Sequence, residues 1–211
     1  MALPLPIQPL ESGYRHAFDP VRMKSVAVFC GSNTGNDPAY AQAAVTAGRL
    51  IAERNLVLVY GGGHRGLMGV TANAALAAGG HVYGVITEFL KSRELQHTGI
   101  HQCEVVGTMA ERKHRFADLA DAFLVLAGGI GTLEEAFDMW SRAQLGGLRK
   151  PIGIVNTLGF YDPLLVMIER MIETGFLPAG QKEWLVVGDE AGAVLDQLAT
   201  YREAPPVSKW I

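Results

Sequence analysis

The chain has few cysteines, no surplus of positive charge and no long apolar run. Cys30 and Cys103 are its two cysteines, and neither belongs to a Cys-x-x-Cys pair, so we expect no disulfide framework and no structural zinc site. The 18 basic and 21 acidic residues give a net charge of -3, which argues against binding nucleic acid or an anionic membrane by charge. No apolar stretch approaches the roughly 20 residues of a membrane-spanning helix.

The first 22 residues lack the pattern of a signal peptide. Prolines interrupt their apolar residues, and no basic residues precede a long apolar run. We expect an extended arm over residues 1–22, one catalytic domain over 23–203 and a tail over 204–211, in a cytoplasmic protein.

Short apolar segments alternate with helical patterns along the whole chain. Hydrophobic residues make up 49% of the composition and charged residues 18%, enough to bury a core. Strands are predicted at 25–30, 56–60, 81–86, 104–106, 122–126, 151–155 and 184–187. Helices are predicted at 38–54, 67–78, 109–120, 132–144, 162–173 and 190–201. This alternation predicts a single α/β domain with a Rossmann-like, doubly wound parallel sheet, whose ligands lie at the carboxyl ends of the strands.

Two glycine-rich turns join predicted strands to predicted helices. Gly61-x-Gly63-x-x-Gly66 has the form of a phosphate-binding turn, although a tight turn without a ligand explains it too. Residues 128–132 (Gly-Gly-Ile-Gly-Thr) repeat the arrangement. Two such turns at one edge of a sheet favour a compact phosphorylated ligand held from two sides.

Several polar residues nearby also have structural explanations. Thr132 and Glu135 fit a capping box, in which the carboxylate reaches back to the start of its helix. Arg112 and Lys113 fall in the first turn of a predicted helix, where a solvated face is the favoured interpretation. The six histidines form no metal-binding pattern, and Cys30 is expected to pack as a small apolar residue. The stretch 87–103 is predicted to be an irregular, functional loop.

Two motifs resemble those of the Lonely Guy family, the cytokinin-activating phosphoribohydrolases. Residues 109–113 (Met-Ala-Glu-Arg-Lys) resemble its Met-x-x-Arg-Lys motif, and residues 127–135 resemble its Pro-Gly-Gly-x-Gly-Thr-x-x-Glu motif. Shorter similarities extend from about Ser25 to Gly188.

The resemblance implies hydrolysis of a nucleoside 5'-monophosphate at its N-glycosidic bond, by a homodimer that uses no metal and no cofactor. It implies that Arg112 and Glu135 are the catalytic pair. The residues that it implies for substrate binding are Gly31, Ser32, Gly62, Gly63, Met68, Glu94, Lys113, Gly128, Gly129, Ile130, Gly131, Thr132 and Ser141.

Three positions depart from the family pattern. Ala127 stands in place of proline, and Ser141 in place of threonine keeps the hydroxyl. The segment 87–94 differs from the commoner Ile-Pro opening, so the choice between prenylated adenine, adenine and another purine stays open.

Three other functions compete with hydrolysis. A nucleotide-binding module without turnover, similar to the molybdenum-cofactor carrier proteins, would use the same turns. A dinucleotide oxidoreductase would use Gly61–Gly66 with Glu88 on the ribose, although the chain leaves little room for a substrate domain. A lysine decarboxylase would need pyridoxal phosphate on a lysine, and nothing around Lys113 requires it.

Overall fold

The computed structural model describes residues 23–94 and 96–201, without the side chain of Glu94. The predicted arm and tail lie outside this part, so the domain limits stay predictions. The strands are β1 (Ser25–Phe29), β2 (Val57–Tyr60), β3 (Val82–Thr87), β4 (Gln102–Val106), β5 (Ala122–Val125), β6 (Ile152–Val155) and β7 (Leu185–Gly188). The helices are α1 (Pro38–Glu53), α2 (Gly66–Ala77), α3 (Glu88–Glu94), α4 (Met109–Leu119), α5 (Ile130–Gln144), α6 (Asp162–Glu173) and α7 (Ala191–Thr200).

All seven strands form one parallel sheet in the order β4-β3-β2-β1-β5-β6-β7. The strand order reverses between β1 and β5, which is where open α/β sheets bind their ligands. Just beyond these two strands, the amide of Gly31 donates a hydrogen bond to the carbonyl of Ala127 over 3.0 Å. The crevice therefore opens between the two segments that follow β1 and β5.

Helices cover both faces of the sheet, which confirms the doubly wound fold. Alternate residues of β1 point to opposite sides: Val26 and Val28 pack towards α1, α2 and α7, whereas Phe29 packs towards α4, α5 and α6. The Phe29 ring lies 5.5 Å from the ring of Phe116 and 5.7 Å from that of Phe123. Because both faces are buried, the strands are continuously apolar instead of alternating. Within the described residues, no helix is both long enough and apolar enough to cross a bilayer.

The predicted irregular stretch 87–103 is in part ordered, which corrects the expectation. Residues 88–94 form α3, where the amide of Leu90 donates to Oγ1 of Thr87 over 3.2 Å. Glu88 lies in the first turn and Arg93 in the last, which suits the helix dipole. Strand β4 begins at Gln102, two residues before its predicted start, because an edge strand tolerates an exposed polar residue.

Helices α1 and α2 touch through Gly48. A Cβ at Gly48 would lie 2.2 Å from the carbonyl oxygen of Thr71. Alanine in place of glycine ordinarily stabilises a helix by about 1 kcal/mol. We expect Gly48→Ala instead to lower the free energy of unfolding by about 1–3 kcal/mol, because the helices must separate to admit the methyl group. Denaturant unfolding tests this, and an unchanged midpoint would show that the helices separate without cost.

Candidate active site

Arg112 of α4 lies beside the carboxyl ends of β2 and β3, where it contacts Glu135 of α5. Nε of Arg112 donates to the carbonyl of Val85 over 2.9 Å, and Nη2 donates to the carbonyl of Gly61 over 3.1 Å. The third hydrogen bond runs from Nη1 to Oε1 of Glu135 over 3.0 Å. The planar guanidinium has donors in the fork that these acceptors need, which the ammonium of lysine cannot supply.

Arg112 is buried, so the prediction of a solvated face is wrong for this residue. Only 5% of it is exposed, and its guanidinium carbon lies 5.2 Å from the ring centroid of Phe116. The helix pattern gave no sign of this burial, because the carbonyl acceptors come from strands elsewhere in the chain. A charge buried this deeply requires its carboxylate partner and the two carbonyls.

Glu135 is not the distal partner in a capping box, which corrects the capping-box interpretation of Thr132 and Glu135. Helix α5 begins at Ile130, with Gly129 as its N-cap and no side chain bonded to the cap. Thr132 therefore lies inside the first turn, 4% exposed, and a Cβ on Gly128 would lie 2.1 Å from its Oγ1. The Glu135 side chain is 12% exposed and pairs with Arg112.

The amino terminus of α5 has open space around its glycines. A Cβ on Gly129 or on Gly131 would meet no atom within 4 Å, and neither residue has a positive φ. Neither local packing nor backbone conformation therefore requires glycine there. The adjacent Ile130 is 88% exposed. The first amide groups of a helix have no partner within the helix, so this terminus is suited to an anion that approaches the backbone closely.

The turn at Gly61–Gly66 is closed by the chain itself. Gly66 has a φ of +58, and a Cβ there would lie 2.2 Å from the carbonyl carbon of Ser32. The amide of Leu67 already donates to the carbonyl of Gly31 over 3.0 Å. These contacts explain Gly66 as part of a tight strand-to-helix turn. Binding of one ligand from two sides stays a prediction.

The other predicted contacts around this turn lie at the same edge of the sheet. The carbonyl of Gly62 accepts from the amide of His97 over 2.9 Å, and Gly63 pairs with Gln96. Met68 is 7% exposed beneath Gly61. Gly31 borders the second turn, where a Cβ on Gly128 would lie 2.9 Å from its nitrogen.

Lys113 forms a second connection between α4 and α5. Its Nζ donates to Oε1 of Glu134 and, over 3.3 Å, to Oδ1 of Asp138. The hydrogen bond to Glu134 raises the pKa of Lys113, and the nearby Asp138 raises it further. The lysine is therefore a cation at neutral pH. Our sequence reasoning missed Asp138, although its position four residues after Glu134 places both on one face of a helix.

Cys30 is buried beside the site. Burial raises the pKa of its thiol to about 12, and the charge of Glu135 adds to the shift. The thiol is therefore neutral at physiological pH and packs as a small apolar group, as the sequence predicted. Among the described residues, no three histidine, cysteine or carboxylate side chains converge on a metal-sized site.

One predicted contact lies away from Glu135, and the side chain of another is not described. Ser141 is exposed in the second half of α5, and the helical rise places it about 9 Å further along the axis than Glu135. The side chain of Glu94 lies outside the described part of the chain. Their roles stay predictions.

Known proteins resemble this chain in sequence and in structure. A sequence model of a family described as "Possible lysine decarboxylase" matches residues 68–198. A protein named "Probable cytokinin riboside 5'-monophosphate phosphoribohydrolase LOG4", from Oryza sativa subsp. japonica, is 42% identical over 90% of this chain and 81% of its own length. The Arabidopsis thaliana protein named "Cytokinin riboside 5'-monophosphate phosphoribohydrolase LOG7" is 41% identical over 85% of this chain and 83% of its own length.

Solved structures share the fold at low sequence identity. The molybdenum cofactor carrier protein of Chlamydomonas reinhardtii superposes with a TM-score of 0.62 at 19% identity, over 85% of this chain and 100% of that one. The molybdenum cofactor binding protein of Rippkaea orientalis gives 0.60 at 17% identity, over 84% and 96%. These likenesses show the fold alone. The sequence relatives match far more closely over most of the chain, and on that ground the chain belongs to the LOG family of cytokinin riboside 5'-monophosphate phosphoribohydrolases.

Proposed function

We propose that the chain hydrolyses the N-glycosidic bond of adenosine 5'-monophosphates, including those substituted at N6. The products are the free cytokinin or adenine base and ribose 5-phosphate. One observation carries the proposal: the partly buried carboxylate of Glu135 lies one helical turn beyond the open glycine Gly131. This separation is about 6 Å along the helix axis, which suits a ribose whose phosphate is bound at the helix terminus.

Catalysis requires stabilisation of a positively charged sugar. As the bond from C1' to the base nitrogen breaks, its electron pair leaves with the base, which takes up a proton. The sugar becomes an oxocarbenium-like cation, which a carboxylate beside C1' stabilises. A water then bonds to C1', and Glu135 accepts its proton and passes it to solvent, which replaces the proton that the base took up from solvent. Arg112 keeps Glu135 oriented, and the carbonyls of Val85 and Gly61 hold Arg112 in turn.

The remaining predicted residues are assigned to binding. We assign Lys113 and the segment Gly128–Thr132 to the phosphoribosyl group, with Gly31 and Ser32 beside them. Gly62, Gly63, Met68 and Glu94 are assigned to the side of the pocket that faces the base. The scheme assigns each step to Glu135, Arg112 and water, and it calls on no metal and no cofactor.

We assign the protein to the cytoplasm as a homodimer. Phe137 on α5 is 36% exposed and Leu145, the C-cap of α5, is 66% exposed, and Ser141 lies midway between them along the helix. On α6, Val166 and Met167 are 69% and 55% exposed. Exposed apolar side chains favour a protein partner, and a second copy packed on α5 would bring Ser141 into an interface.

Two competing functions fit the geometry less well. A Schiff-base lysine needs a lowered pKa, whereas the carboxylates beside Lys113 raise its pKa, so Lys113 is not suited to the decarboxylase role. A carrier module without turnover rests on likenesses below 20% identity. Such a module would also have no need of a buried pair like Arg112 and Glu135.

A chromatographic assay with AMP and isopentenyladenosine monophosphate tests the proposal. We expect free base from both, and the ratio of the two values of kcat/KM reports the preference set by residues 87–94. Nucleotide that binds and is recovered intact would instead favour the carrier module.

A further inference from the structure

A layer of four charges lies outside the pair formed by Arg112 and Glu135. Lys113 contacts Glu134 and Asp138, and Nε of Arg142 donates to Oδ2 of Asp138 over 2.8 Å. Two cations and two carboxylates balance, so the layer is neutral before any ligand binds. The proposed reaction gives a role to Lys113 and none to its two carboxylate partners.

The two carboxylates on Lys113 are held differently. Asp138 is 24% exposed and has a second cation, Arg142, one turn along α5. Glu134 is 46% exposed, and Lys113 is the one partner found for it among the described residues. An ion pair this exposed contributes little to stability, so little free energy is needed to break it. A carboxylate shared by two cations is held more firmly.

Lys113 has a limited number of donors. An ammonium has three N–H groups, and here two of them point to carboxylates. A phosphate dianion bound beside Lys113 would add two negative charges to a neutral layer. Departure of the Glu134 side chain into solvent would release one donor and restore part of the charge balance.

We propose that Glu134 pairs with Lys113 in the free protein and is displaced from it by the 5'-phosphate of the substrate. Asp138 is the positioning residue that keeps the lysine in place. This inference rests on the proposed function, because it takes the phosphate to bind between Lys113 and the start of α5. The exchange selects ligands by charge: a dianion replaces Glu134, and a neutral nucleoside leaves the ion pair closed.

Two matched substitutions on the same lysine are expected to act in opposite directions. Glu134→Gln removes the competing charge, so the KM for AMP should fall by up to about fivefold, with kcat unchanged. Asp138→Asn loosens Lys113, so the KM should rise by about the same factor. Residual turnover of adenosine, which has no phosphate, should change in neither variant. In a Lys113→Ala background both effects on KM should vanish.

Calorimetric titration with inorganic phosphate tests the exchange without turnover. We expect Glu134→Gln to bind phosphate more tightly than the wild-type protein does, and Asp138→Asn to bind it more weakly. Equal or weaker binding by Glu134→Gln would overturn the proposal, and thermal melting separates this outcome from misfolding. If the two variants show the expected phosphate pattern but the wild-type protein releases no base, the exchange is retained and the proposed function is contradicted.

Discussion

Replacement of Glu135 by glutamine is expected to lower kcat for AMP by about 1000-fold. The amide is almost the same size as the carboxylate and still offers an oxygen to Nη1 of Arg112. It carries no negative charge, however, so it neither stabilises a developing sugar cation nor accepts a proton from water. Steady-state assays of base release measure the loss. Because binding of the phosphate is left to other groups, KM should change little.

We expect the Glu135→Gln protein to fold, with a measurably lower free energy of unfolding. The buried guanidinium of Arg112 loses its charged partner and keeps a neutral one, so the free energy of unfolding should fall by about 1–3 kcal/mol. Glu53→Gln is a matched control, since Glu53 is exposed on α1 and pairs only with Arg49 among the described residues. Activity retained by the Glu135 variant would show that this carboxylate has no part in the chemistry.

Gly131→Ala is expected to make the protein more stable and a poorer enzyme. The residue lies in the first turn of α5, its φ is not positive, and an added Cβ would meet no protein atom within 4 Å. Alanine should therefore raise the free energy of unfolding by about 0.5–1 kcal/mol. If a phosphate approaches this backbone, the methyl group occupies its place and the KM for AMP should rise at least about tenfold.

Gly48→Ala and Gly131→Ala are expected to change stability in opposite directions, which makes the test selective. Gly48→Ala changes a helical glycine that touches Thr71, and it should lower stability while leaving KM alone. Gly131→Ala changes a helical glycine with open space, and it should raise both stability and KM. A Gly131→Ala protein with an unchanged KM would show that the ligand does not approach α5 at this residue.

The elements of the sheet could be predicted from local pattern. The apolar segments around Val28, Val59 and Leu124 lie between turn residues, and each is a strand buried on both faces. Their alternation with helices predicts parallel strands, because each crossover returns the chain to the same end of the sheet. The glycine-rich turns could also be placed at that edge, since they follow strands directly.

The electrostatics of the site could not be predicted from local pattern. Arg112 is held by carbonyls 27 and 51 residues away in the chain, and those atoms carry no residue-specific signal. The capping-box pattern at Thr132 is misleading because α5 begins at Ile130 with Gly129 as its N-cap, and the box has meaning only at the true N-cap. Helix α3 was missed because its short polar sequence depends on Thr87 and on end charges.

Identification of the products formed from AMP tests the central claim most directly. Proton and phosphorus NMR of AMP incubated with the wild-type protein would follow all products in one sample. Cleavage at the N-glycosidic bond predicts free adenine and ribose 5-phosphate in equal amounts, with Glu135→Gln as the inactive comparison. Adenosine with inorganic phosphate, or AMP left unchanged by protein that binds it, would contradict hydrolysis by Glu135 at this site.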